Sequence, residues 1–276
     1  MKSFILFFFA LKSTAFALAP SVFEDSYKWK KTSVSVCWGT VEDFKKVNPD
    51  IAENVEKRKI SLLKARHLEA IQKKVQAEYT TEKTGIEFTG WTACSENPKA
   101  DIVMLAVNRY KEPAQNKKES DHIILGEANI GISVLGFNKP RTGQGSLFLS
   151  KSSGSDKITS QEELLMTALH EFGHAAGLRH EHIRPEAQED KHCKHRYHGR
   201  KFPQEELKTA SVIGSYDPRS IMNYCYDWYV SDKAIIESKA DIQLSPQDRQ
   251  TLLCMYAPEQ AAQGSCDKIL AVEKFK

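Results

Sequence analysis

Residues 170–181 read His170-Glu171-Phe172-Gly173-His174-Ala175-Ala176-Gly177-Leu178-Arg179-His180-Glu181. On a helix, His170 and His174 sit one turn apart and project from the same face. Gly177 can take a left-handed conformation, which ends the helix and turns the chain back. His180 then returns as a third ligand. Three protein ligands leave the fourth tetrahedral position of a zinc ion open to water, which marks a catalytic rather than a structural site. Glu171 lies beside the metal face, where its carboxylate can take a proton from that water. Histidines that merely decorate a surface helix do not explain Glu171, Gly177 and His180 together.

The same helix needs a face to bury. Leu164, Leu165, Ala168, Leu169, Phe172 and Ala176 cluster on one side of a wheel drawn at about 100° per residue, with His170 and His174 nearly opposite. One face therefore packs on a sheet and the other lines a cleft. Ser160 and Glu163 fit a capping box at its start. Further upstream, residues 33–38 alternate like a strand. A helix is expected from about 54 to 81, with Ile60, Leu63, Leu68, Ile71 and Val75 as its apolar stripe. Gly85 closes that unit and residues 86–91 read as a second strand. Residues 101–107 form a continuous apolar run suited to a strand buried on both faces. A charged loop at 108–121 precedes extended stretches at about 129–136 and 145–150. The order predicts an α+β fold, an N-terminal twisted mixed five-stranded sheet with two long helices. Beyond a break near 178 the composition turns polar with Gly and Pro. It suggests an irregular C-terminal subdomain ending in a helix that starts near residues 245–248, with Leu252, Leu253 and Tyr256 on its apolar side. Residues 258–276 read as a tail.

The N-terminus carries a different signal. Lys2 precedes the apolar run Phe4-Ile5-Leu6-Phe7-Phe8-Phe9-Ala10-Leu11, followed by small-residue sites ending at Ala17 and Ala19. This is the pattern of a secretory signal peptide over residues 1–19, cleaved after Ala17 or Ala19 and too short to span a bilayer. An N-terminal segment (20–32) then leads into one catalytic domain over 33–257. The mature protein is expected to be secreted or periplasmic, with no membrane span. The six cysteines are even in number, which suits disulfides in an exported chain. Pairings Cys37–Cys94 and Cys193–Cys225 are two among fifteen arrangements that the sequence leaves open. With 27% charged residues and a net charge of +3, of which a leader would remove Lys2 and Lys12, charge argues for neither a nucleic-acid nor an anionic-membrane partner. His192, His195 and His198 surround Cys193 in a Lys/Arg-rich stretch that disfavours a cation, so they read as a solvated loop.

A second motif, Tyr216-Asp217-Pro218-Arg219-Ser220-Ile221-Met222-Asn223-Tyr224, lies downstream. With the extended histidine motif, Ser-Ile-Met-x-Tyr resembles the metzincin zinc metalloproteases. The tyrosine two residues after the methionine, and Glu181 directly after the third histidine, are most similar to the astacin family. The resemblance implies one catalytic Zn²⁺ held by His170, His174 and His180, with Glu171 as the acid/base and Tyr224 as a switchable fifth ligand and oxyanion donor. Met222 would form the apolar floor, and Gly177 the turn that brings His180 round. It further implies a polypeptide substrate bound in extended form along the edge strand near 129–136. The chain departs from the astacin pattern at Leu178, at Pro185-Glu186-Ala187-Gln188 and at Asn223. The expected activity is that of a secreted endopeptidase using a zinc-bound water and a glutamate base. The alternatives are a non-catalytic zinc-containing module that grips peptides or cell-wall material, and hydrolysis of an amide in a non-protein polymer.

Overall fold

The computed structural model describes residues 22–23, 28–108, 111–112, 122–123, 126–128, 144–151, 160–190, 211–213, 216–223, 242–262, 266 and 269–271. Its strands are β1 (Val22–Phe23), β2 (Ser33–Trp38), β3 (Glu87–Ala93), β4 (Ile102–Asn108), β5 (Lys111–Glu112), β6 (His122–Ile123), β7 (Gly126–Ala128), β8 (Gly145–Lys151), β9 (Leu178–Arg179), β10 (Ser211–Ile213) and β11 (Ile269–Ala271). The helices are α1 (Val41–Lys45), α2 (Pro49–Lys57), α3 (Ala65–Glu78), α4 (Thr81–Thr84), α5 (Ser160–Ala175) and α6 (Pro246–Tyr256).

The apolar run of β4 places it at the centre of a mixed five-stranded sheet. The order is β3-β2-β4-β8-β7, with the first four strands parallel and β7 antiparallel at the edge. Successive side chains of a strand point to opposite faces, so β4 feeds two cores. Ile102, Met104 and Ala106 join Ile71 and Val75 of α3 and Leu164, Ala168, Leu169 and Phe172 of α5. Val103, Leu105 and Val107 join Phe44, Ile51 and Val55 of α1 and α2 on the other side. The apolar wheel of α5 is thus buried as its periodicity predicts. The extended stretch near 129–136 lies outside the described residues, directly after β7.

Two local expectations need revision, and one strand carries an irregularity that the sequence does not announce. The helix expected over 54–81 is broken in two. Its stripe at Ile71 and Val75 is buried in α3, but α2 stops at Lys57 and Lys59 turns to φ 53. The intervening residues run along β4 instead, with the Leu63 amide donating to the Ala106 carbonyl at 2.9 Å and the Asn108 amide to Ser61 at 2.8 Å. Backbone pairing beside an exposed strand end outweighs helix propensity over these few residues. Next, Ser160, the first described residue of that stretch, already lies within α5 rather than at the capping position before it. Finally, β3 carries a bulge opposite Val36 and Cys37. Trp91, at φ 51, is the extra residue, and the bulge re-aims its ring into the core, 5.4 Å from Phe172.

Two disulfides are formed among the described residues, Cys37–Cys94 and Cys254–Cys266. The first ties β2 to the end of β3. The second joins α6 to the stretch read as a tail, where β11 pairs with β10 in a small antiparallel sheet ordered β11-β10-β1-β9. No helix among the described residues is long and apolar enough to cross a membrane.

Candidate metal centre

Everything at the site depends on how α5 is held. Midway along it, the Tyr79 hydroxyl donates to the Leu169 carbonyl at 2.6 Å, and Phe172 stacks edge-on against Phe88 at 4.7 Å. The last carbonyls of a helix have no partner within it. Here the Trp29 indole N–H donates to Ala175 at 2.7 Å and the Tyr256 hydroxyl to Ala176 at 2.8 Å. Gly177 then takes φ +98, as the turn requires, and β9 carries the chain to His180.

The turn brings the three histidines together. One ring nitrogen from each of His170, His174 and His180 lies within 4.8 Å of the others. Nε2 of His174 and Nε2 of His180 are 3.1 Å apart, against roughly 3.3 Å for two nitrogens on one tetrahedral zinc. The outer nitrogens fix the tautomers. Nδ1 of His170 contacts the Ile221 carbonyl at 2.8 Å, and Nδ1 of His174 contacts the Leu178 carbonyl at 2.8 Å. A carbonyl only accepts, so each Nδ1 carries the hydrogen and each Nε2 presents a lone pair, as metal-ligating histidines are oriented. Burial pushes all three imidazoles below their ordinary range, His174 to about 4, with neighbouring positive charges adding to the effect. Neutral nitrogen donors held this close suit a borderline-soft divalent cation such as zinc. His170 and His174 are both buried, with the Ile221 and Leu178 carbonyls against their rings.

The turn at 220–222 supports the centre from below. Met222 is fully buried, and its sulfur lies only 2.6 Å from where a Cβ on Gly173 would stand. Gly173 therefore lets the helix rest on Met222, a constraint that the spacing of the histidines does not reveal. The turn hangs on Asp248 at the start of α6. Its carboxylate accepts from the Ser220 hydroxyl at 2.7 Å, the Ile221 amide at 3.0 Å and the Ser245 amide at 3.1 Å. Ser245 in turn caps α6 and donates to Asp217 at 2.7 Å. A chain of bonds thus runs from α6 through Ile221 to His170.

Glu171 is buried on α5, next to His170 and three residues before His174 in sequence. Glu181 is fully buried as well, accepting from the Asp217 amide at 2.8 Å and facing the buried Arg184 at 3.4 Å. Burial raises its carboxyl well above the usual range, against the opposing pull of Arg184. His182, not singled out by the sequence reading, packs its ring 4.9 Å from His180. No spacing rule points to it. Tyr224, Cys193, Cys225 and the histidines at 192, 195 and 198 lie outside the described residues.

Fold and site together define a mixed α/β protein with a three-histidine group positioned to bind a metal ion. No protein-family model matches the chain, and no curated protein does. Among solved structures it is similar to one titled "Structure of myroilysin", at 14% identity and a TM-score of 0.46, over 86% of this chain and 98% of that one. That likeness is too distant to assign a family or an activity.

Proposed function

We propose that this chain is an exported zinc-dependent endopeptidase of the metzincin type, with motifs that resemble those of the astacin family. The observation that carries the reading is the convergence of His170, His174 and His180 within 4.8 Å around a helix that also bears a buried Glu171. The resemblance of residues 170–181 and 216–224 to the metzincin motifs supports it, and the two disulfides suit an oxidising compartment.

His170, His174 and His180 would hold one zinc ion, which when bound supplies Lewis acidity toward a scissile carbonyl and a nearby water. The carboxylate of Glu171 accepts the proton of the attacking water and later delivers it to the leaving amine nitrogen. The Tyr224 hydroxyl donates a hydrogen bond to the oxyanion that develops on the carbonyl oxygen. The substrate class would be a polypeptide bound in extended form along the stretch near 129–136 expected as the edge strand, where main-chain bonds would grip it whatever its side chains.

Glu171→Gln separates catalysis from binding. The variant should keep one zinc per chain and lose at least a hundredfold in peptide hydrolysis, the lower end of what a positioned base contributes. Full hydrolysis by the variant contradicts the assignment.

A further inference from the structure

We propose that Glu163 is the anionic floor of a side-chain subsite, selecting peptides with Lys or Arg beside the scissile bond. The inference rests on the peptidase reading above and names its substrate class. Glu163 is 5% exposed, and its Oε2 is buried without a hydrogen-bond partner. Among the described residues no cation is paired with it, in contrast to Glu181, whose other oxygen meets Arg184. Burial raises its carboxyl above the ordinary range, with no opposing partner.

Its place on α5 points to the metal centre. Seven residues separate Glu163 from His170, two helical turns that return to within about 20° of the same azimuth and rise roughly 10 Å. Glu163, Thr167, His170 and His174 thus form one stripe along the helix. Thr167, between the carboxylate and the first ligand, stays partly exposed. An extended Lys or Arg side chain carries its charge roughly 6–7 Å from its Cα. Added to the few ångströms between a scissile carbonyl and the metal, that reach matches the two-turn separation. A cation arriving there would complete an ion pair for a carboxylate that is costly to bury alone. A neutral side chain would leave it unpaired, and sites that strand a buried polar group reject such ligands strongly.

The test compares two hydroxamates that chelate zinc alike and carry the same α-amine, L-arginine hydroxamate and L-norleucine hydroxamate. Calorimetry on the zinc-loaded full chain should show at least tenfold tighter binding of the arginine compound. In Glu163→Gln that ratio should collapse toward one while zinc stoichiometry stays at one. Glu163→Leu supplies a second variant if the first does not fold, and the wild-type ratio stands without either. Equal binding of both compounds to the wild type overturns the subsite and leaves the metal centre standing. Binding of neither overturns the metal centre and the subsite with it. A ratio that survives in Glu163→Gln assigns the preference to another residue and overturns the proposal.

Discussion

At the scale of single residues, His170 and His174 of the candidate centre are each held through Nδ1 by a backbone carbonyl. Ile221 offers its carbonyl to His170 Nδ1 only while Asp248 grips the turn from the other side. Partners one bond removed from a metal commonly matter tenfold to a hundredfold in affinity. Asp248→Ala should therefore weaken zinc binding by about tenfold in a chelator competition, with Asp248→Asn closer to wild type because it keeps one acceptor. Unchanged affinity in Asp248→Ala would mean that the turn holds its shape through packing on Met222 alone. The grouping of His170, His174 and His180 was legible from spacing, because helix geometry sets the first two one turn apart and the turn at Gly177 returns the third. Asp248, Gly173 and His182 were not, since their roles depend on contacts between segments far apart in the chain.

At the scale of elements, α5 must stop at Gly177 for His180 to return. A side chain at φ +98 is strained, and a Cβ there would stand 2.9 Å from the Met255 methyl group. Gly177→Ala should cost about 1–2 kcal/mol, lowering the melting temperature by roughly 3–6 °C. A melting temperature equal to wild type would contradict the conformational argument. Apolar patterning marked α5 and strands β2, β3, β4 and β8, because each presents apolar side chains to a core. The Ser245-Pro246 start marked α6, whereas the three-residue β7 carries no such pattern and escaped the reading. The same reading ran α2 and α3 together. Ile60 and Leu63 continue the helical stripe, yet Leu63 is bonded to Ala106 of β4. The bulge at Trp91 was equally hidden, because it is the aromatic cluster around Phe172 that rewards turning the ring inward.

Across the whole molecule, α3 and α6 are fastened by Glu78, which meets Arg249 at 2.8 Å and Lys74 at 3.2 Å and accepts weakly from the Leu244 amide. Burial raises its carboxyl, but Arg249 and Lys74 outweigh it and leave it below its ordinary value of 4.5. A carboxylate depressed in the folded state adds stability that is present above pH 4.5 and lost as pH falls through its folded value. Glu78→Gln should cost about 1–3 kcal/mol at pH 7 and flatten the loss of stability below pH 4.5, both read from urea unfolding across pH. An acid limb as steep as that of wild type would assign that slope to other groups.

Zinc held by the three histidines should make this chain a peptidase. The most direct measurement titrates the purified, chelator-stripped protein with zinc in the presence of a diverse peptide library and reads cuts by mass spectrometry. Internal peptide cleavage should appear in proportion to zinc and saturate at one ion per chain. Stoichiometric zinc binding with every peptide left intact would contradict it.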